Sequence, residues 1–287
     1  VNLKNMWKKI IGIGLATMLS AIALVGCSSS ETSTGSKEND SKTTEAPATE
    51  STLDKIKERG KLIVGVKYDL NLFGLKNPQT GEVEGFDIDI AKGLAKKILG
   101  DENKIELKEV TSKTRIPMLN NGEIDAIIAT MTITEERKKE VDFSDVYFMA
   151  GQSLLVKKDS KINSIKDIKK GVTVLTAKGS TSAQNIREKA PEATVLEFEN
   201  YAEAFTALKA GQGDALTTDN ALLYGMAKQD PNYRVVDETF TEEPYGIAVR
   251  KGDQELLNVI NEYLKELKAS GEYDKIYEKW IGEKPKQ

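Results

Sequence analysis

Short apolar runs alternate with amphipathic helical patterns along most of this chain, and that alternation confines it to an α/β arrangement. Leu62-Ile-Val-Gly-Val66, Ala126-Ile-Ile-Ala129, Ser153-Leu-Leu-Val156 and Val172-Thr-Val-Leu175 have the length and composition of buried strands. Between and after them, Tyr201, Ala204, Phe205 and Leu208 fall on one helical face, as do Leu256, Leu257, Ile260, Leu264 and Leu267, and both stripes read as core. Gly271 stops the last long helix, after which Tyr273, Ile276, Tyr277 and Trp280 form a final apolar stripe expected to pack back onto the first half. From Thr52 onward there are about 235 residues, more than one ordinary domain wants and enough for two lobes.

An internal echo points the same way. Met118-Leu-Asn-Asn-Gly-Glu-Ile-Asp-Ala126, followed by an apolar strand and Thr130, resembles Ala207-Leu-Lys-Ala-Gly-Gln-Gly-Asp-Ala215, followed by Leu216-Thr-Thr-Asp219. Each is a helix end, a glycine stop, an aspartate and a strand that ends in polar groups. Two similar units imply two similar lobes with ligand groups at the carboxyl ends of strands, where open α/β sheets place their sites.

The amino terminus reads as a leader. Lys4, Lys8 and Lys9 precede an apolar stretch from Ile10 to Val25 that is short for a membrane span and runs into Leu24-Val25-Gly26-Cys27. An uncleaved anchor is the alternative. Cys27 is the single cysteine, so it forms no internal disulfide, and its setting resembles a bacterial lipobox, in which the cysteine is diacylated and becomes the new amino terminus. Two acyl chains anchor stably. The expected order is therefore a lipoprotein signal peptide over 1–26, with residues 27–51 a disordered tether, too poor in apolar residues to offset ordering entropy.

Formal charge is −4, and loss of the leader with its three lysines and no acid leaves −4 − 3 = −7. That balance argues against nucleic acid as a partner. The chain has no histidine, which removes the usual general base and zinc ligand, and no cofactor or metal is expected.

Ala129-Thr-Met-Thr-Ile-Thr-Glu-Glu-Arg-Lys-Lys-Glu-Val-Asp-Phe-Ser144 joins an apolar run, a hydroxyl cluster and an arginine at the end of a strand. It reads as half of a clamp for an amino acid: Arg137 offers a planar fork to a carboxylate, while Thr130 and Thr132 offer oxygens. A plainer reading pairs Arg137 only with Glu136 or Glu140.

Gly85-Phe-Asp-Ile-Asp-Ile-Ala-Lys-Gly-Leu-Ala-Lys-Lys-Ile98 reads as scaffold on its own terms: Phe86, Ile88, Ile90 and Leu94 are core candidates, and Asp87 and Asp89 suit the start of a helix. Position for position it resembles the pattern of the family 3 amino-acid solute-binding proteins that serve ABC importers. The resemblance continues through Lys178-Gly-Ser-Thr181, Thr217-Thr-Asp219 and Pro244-Tyr-Gly-Ile-Ala248, and covers about Leu53 to Gly282. It is strongest toward Gram-positive binders of glutamate, aspartate and glutamine.

The resemblance implies a two-lobed periplasmic-binding-protein-like fold of type II, two α/β lobes joined by two hinge strands. Lobe 1 would comprise residues 53–146 plus 242–287, lobe 2 residues 152–240, with hinges at 147–151 and 241–245 and a ligand enclosed between closing lobes. It implies Arg137 and Thr132 at the ligand α-carboxylate, the Thr130 carbonyl at the ammonium, and Asp219 as the ammonium's counter-ion. Ser180 and Thr181 would meet the carboxylate from lobe 2, with Lys178 nearby, although Thr181 as a simple helix cap is an even alternative. Arg115 is the expected reader of the side chain, assisted by Lys67, with Asp69 as a candidate to orient either of them. An exposed Arg115 is the plainer reading. Tyr68, Leu72 and Phe73 are candidates to cover the ligand, with Phe73 expected among the ligand-binding residues.

The implied function is an extracellular substrate-binding lipoprotein on the outer face of the cytoplasmic membrane, a monomer delivering glutamate, glutamine or aspartate to ABC permease subunits, with glutamate first because of Arg115. A dehydratase-like enzyme on the same fold and a ligand-sensing surface lipoprotein are the alternatives.

Overall fold

The computed structural model describes residues 51–282. The leader, Cys27 and the tether lie outside them, with one exception: Ser51, expected to end the tether, is the N-cap of helix α1 (Thr52–Arg59), its hydroxyl accepting from the Asp54 N–H at 3.2 Å. Strands β1 (Leu62–Val66), β2 (Asp69–Leu70), β3 (Gly74–Lys76) and β4 (Val83–Glu84) follow, then α2 (Phe86–Leu99), β5 (Ile105–Glu109), α3 (Arg115–Asn120), β6 (Ala126–Ile127) and β7 (Val141–Phe143). Next come β8 (Phe148–Ala150), β9 (Gln152–Lys157), β10 (Thr173–Ala177), α4 (Thr181–Lys189), β11 (Thr194–Phe198), α5 (Tyr201–Lys209), β12 (Ala215–Asp219), α6 (Asn220–Gln229) and β13 (Tyr233–Val235). The chain ends with β14 (Glu243–Tyr245), β15 (Ala248–Arg250), α7 (Gln254–Ala269) and α8 (Glu272–Ile281). Among the described residues no helix is long and apolar enough to cross a membrane.

Two five-stranded sheets form the two lobes, in the orders β5-β1-β6-β15-β7 and β11-β10-β12-β9-β13. Each is built on the same plan. The second strand (β1 or β10) pairs in parallel with both its neighbours, and an antiparallel strand (β15 or β9) follows. Between the sheets runs a two-stranded antiparallel ribbon, β8 with β14, in the register Glu243 to Ala150, Pro244 to Met149 and Tyr245 to Phe148. Chain order makes this ribbon the connection in both directions, since β8 lies between β7 and β9, and β14 between β13 and β15.

The sequence echo has a structural meaning. Gly122 and Gly211, with φ of 77° and 78°, turn the chain out of α3 and α5 in a left-handed conformation that favours glycine. The aspartate three residues on then clamps β1 in one lobe and β10 in the other: Asp125 Oδ2 accepts from the Ile63 N–H, and Asp214 Oδ2 from the Thr173 N–H, both at 2.8 Å. Each aspartate's own N–H returns a bond to the same residue's carbonyl, again at 2.8 Å. The two aspartates therefore set strand register rather than bind ligand.

An aromatic cluster fills the base of lobe 1 beneath the ribbon. Phe73 meets Phe148 and Tyr245 edge-on at 5.1 Å and 6.0 Å, and Phe86 at a tilt at 5.8 Å. Helix α8 packs against it through Tyr273 and Tyr277, both edge-on to Phe86, and Trp280 donates its indole N–H to Asp89 at 2.7 Å. The apolar stripe of the last helix thus covers the amino-terminal end of α2, where its acidic residues also meet the helix dipole.

Candidate functional site

The carboxyl ends of β6 and β12 face each other, and the polar groups that end them converge with groups from the starts of α3, α4 and α5. Arg115, Thr130, Thr132, Ser180, Thr181 and Asp219 line one cavity, together with Ser112, Ser182, Tyr201, Thr218 and Leu222. Its volume is about 10 Å³, room for about one water. Entry of anything larger requires the lobes to part.

Several hydrogen-bonded contacts hold the two lobes against each other here. Arg137 reaches the Gly179 carbonyl at 3.3 Å, Asn71 the Gly225 carbonyl at 3.1 Å, and the Tyr201 N–H donates to Asp69 at 3.0 Å. Tyr245 donates its hydroxyl to Asp219, and Glu243 accepts from Thr181 at 2.9 Å.

From lobe 1, Arg137 opens a short 3-10 turn and donates to the Thr132 carbonyl at 2.8 Å. Burial pushes its pKa down, and the Glu243 charge opposes that. Thr130 is held by Asp87, whose carboxylate accepts from its N–H at 2.8 Å and from the Tyr147 hydroxyl at 2.8 Å. Burial raises the Asp87 carboxyl to about 7, the tyrosine and backbone donors opposing the rise. Asp87 was expected to be scaffold at a helix start; it is that, and it also fixes a site residue.

Arg115 is buried at the start of α3, not exposed. It donates to the Ala129 carbonyl at 2.7 Å, while its Nε has no partner. Burial, then the Arg137 charge, pushes its pKa down to about 9, which leaves it cationic at neutral pH. Lys67 is only 1% exposed, donates to Ser112 at 3.1 Å and lies 5.9 Å from the Tyr201 ring centroid. Its pKa falls to about 8 through burial, opposed chiefly by Asp69. Asp69 makes no hydrogen bond to Lys67 or Arg115; it accepts from the Tyr201 N–H at the start of α5.

From lobe 2, Ser180 is the N-cap of α4 and accepts from Ala183 N at 3.2 Å, so Thr181 is freed from capping. Thr181 instead donates to Glu243 and accepts from Gln152 at 3.0 Å. Asp219 ends β12, buried, with Oδ1 unpartnered and Oδ2 taken by Tyr245. Burial, and secondly the Glu243 charge, lifts its carboxyl to about 7. A buried carboxylate oxygen without a donor is costly, and a ligand cation would relieve that cost.

Four expected site residues do not line the cavity: Arg137 and Lys67 stand one contact behind it, on Thr132 and Ser112, and Phe73 and Lys178 lie elsewhere. Phe73 is 0% exposed within the aromatic cluster, because the tight turn after β2 points it into lobe 1 rather than at the cavity. Lys178 is half-exposed and ion-paired with Glu199. Conversely Tyr201, read from helical periodicity as core, lines the cavity from the first residue of α5. Its place just after the carboxyl end of β11 was the available signal. Glu243, buried in the ribbon, carried no such signal. Among the described residues no group of three or more acidic, histidine or cysteine side chains is arranged to hold a metal.

Known proteins match this chain closely. The sequence profile of the bacterial extracellular solute-binding proteins, family 3, matches residues 62–283. A glutamine-binding protein of Geobacillus stearothermophilus is 82% identical over 248 residues, 86% of this chain and 94% of that one. The ABC transporter glutamine-binding protein GlnH of Bacillus subtilis (strain 168) is 64% identical over 278 residues, 97% of this chain and 99% of that one. A solved structure of an ancestral arginine-binding protein bound to glutamine superposes with a TM-score of 0.73 at 51% identity, covering 78% of this chain and 99% of that one. The relatives are named as binding proteins rather than enzymes, and the family acts outside the membrane. With its two α/β lobes and the cavity between them, the chain belongs to the bacterial extracellular solute-binding proteins, family 3.

Proposed function

We propose that this protein is the substrate-binding component of an amino-acid ABC importer, that it binds glutamine between its lobes, and that a lipid on Cys27 tethers it as a monomer to the outer face of the cytoplasmic membrane. The observation that carries the reading is the convergence, in one cavity, of an arginine-flanked threonine pair from lobe 1 and of Ser180, Thr181 and an unpartnered Asp219 oxygen from lobe 2. Arg137, Thr132, Ser180 and Thr181 meet the α-carboxylate. Asp219 and the Thr130 carbonyl take the ammonium. Three or four charge-assisted bonds at about 1.5–3 kcal/mol each, less the cost of association, are compatible with micromolar affinity, roughly −8 kcal/mol.

Lobe 1 comprises residues 53–146 and 242–287, lobe 2 residues 152–240, with hinges at 147–151 and 241–245. The division of strands between the sheets and the ribbon supports these limits.

Arg115 with Lys67 forms the end that reads the ligand side chain. The sequence ranked glutamate first on the strength of Arg115. The relatives named for glutamine turn that order round, with Arg115 donating to a carboxamide oxygen. A thermal-shift screen of the twenty amino acids tests the assignment, since a ligand bound only by the native state raises Tm. Glutamine is expected to give the largest rise; a larger one from glutamate or arginine would remove glutamine, and none from any amino acid would remove the function.

A further inference from the structure

Glu243 is 2% exposed, yet it has no salt bridge among the described residues. A buried carboxylate on these terms must be compensated by hydrogen bonds, and four reach it. Oε2 accepts from the hydroxyls of Thr132 at 2.7 Å and Thr181 at 2.9 Å. Oε1 accepts from Asn185 Nδ2 at 3.0 Å and from the Thr241 hydroxyl at 2.9 Å. Thr132 belongs to the lobe 1 side, Thr181 and Asn185 to α4 of lobe 2, and the carboxylate itself rides on β14 of the ribbon that joins them. One carboxylate therefore binds donors on both sides of the cleft from the segment about which the lobes move.

The set is complete only while the lobes are together. Parting them carries Thr181 and Asn185 away from Thr132, so the carboxylate keeps donors on one side at most. The ribbon register places Glu243 and Tyr245 on the same face, and both bond residues lining the cavity, Thr181 and Asp219. Each threonine hydroxyl has a single proton, and here it is donated to Glu243. A ligand carboxylate at these two threonines then meets their backbone N–H groups and Arg137 while the side chains stay clasped.

We propose that Glu243 is a positioning residue that clasps the two lobes through Thr132, Thr181 and Asn185, so that the protein populates the closed form before ligand arrives. The inference rests on the reading of the cleft as an amino-acid site. A clasp of this kind raises apparent affinity by raising the fraction of binding-competent protein, without touching the ligand.

The test is a distance measurement on the full chain. Spin labels are placed on Lys139→Cys in lobe 1 and Lys189→Cys in lobe 2, both exposed positions, in a Cys27→Ser background, and read by double electron-electron resonance. Without ligand the parent is expected to show a short-distance fraction that falls in Glu243→Ala, with glutamine affinity weaker by the same factor, about 10-fold to 100-fold. Saturating glutamine restores the parental distance. Glu243→Gln keeps an acceptor for both hydroxyls and falls between the two. Asn185→Ala, which removes one donor from a half-buried helix position, shifts the populations in the same direction by less and serves as the measure if Glu243→Ala does not fold. A parent with no closed fraction, or unliganded distances that ignore both substitutions, overturns the clasp. Failure of the cleft reading looks different: the parental distances would ignore all twenty amino acids, while the unliganded populations still judge Glu243.

Discussion

The Asp87 carboxylate accepts the Thr130 N–H at 2.8 Å, and Thr130 holds a φ of 46°. A β-branched residue in that region is strained by about 1–3 kcal/mol, and it persists only when its surroundings over-determine it. Asp87 is the group that does so, since it sits in the first turn of α2 with Tyr147 donating to its other oxygen. The strain lies at the carboxyl end of β6, in a residue that lines the cavity.

Asp87→Ala leaves the Thr130 N–H and the Tyr147 hydroxyl unpaired in the core. The expected loss is about 2–6 kcal/mol, from about 1–3 kcal/mol for each of the two orphaned groups. Urea unfolding checks it: the midpoint should fall with an unchanged slope.

Arg137→Ala is expected to weaken glutamine binding by about 2–5 kcal/mol, because the ligand carboxylate is left desolvated without its charge partner. Stability should change little, since the Arg137 bonds to Thr132 and Gly179 both go to carbonyls at a half-open position. Isothermal titration calorimetry reads the affinity, and near-parental binding would remove Arg137 from the site.

Binding should release a proton below neutral pH. The Asp219 carboxyl has a pKa of about 7 in the unliganded protein through burial and the Glu243 charge, and a ligand ammonium beside it favours the carboxylate and lowers that value. Affinity therefore rises as pH climbs toward about 7 and levels off above it. Calorimetry at pH 6 in two buffers of different ionisation enthalpy should show the release in the parent and its loss in Asp219→Asn.

Arg115→Met should narrow the preference for glutamine over alanine by about 10-fold to 150-fold, the worth of a hydrogen bond from a charged donor. Competition binding measures the ratio; an unchanged ratio assigns Arg115 to structure alone, through its bond to Ala129.

Phe73 and Tyr201 should separate stability from binding. Phe73→Ala empties the centre of the aromatic cluster and is expected to cost about 3–5 kcal/mol of stability while altering glutamine affinity less than Tyr201→Ala does. Chemical unfolding and calorimetry on both variants decide it, and the reverse order would return Phe73 to the ligand wall.

The alternation of apolar runs with helical stripes was enough to determine an α/β chain, and the echo around Asp125 and Asp214 was enough to show two units on one plan. Both are local patterns, and each aspartate acts on the strand next to it. The convergence of Thr132, Ser180, Thr181 and Asp219 on one cavity was also legible, because they end or follow strands, where such sheets gather polar groups. Periodicity identifies which face of an element is buried, but not what meets that face. Phe73 and Tyr201 are both buried, one against lobe 1 aromatics and one against the cavity, and only the tertiary structure distinguishes them. Glu243 is the limiting case. Its partners come from residues 132, 181, 185 and 241, so its role exists only where two lobes and the ribbon between them come together, and no window of sequence contains that meeting.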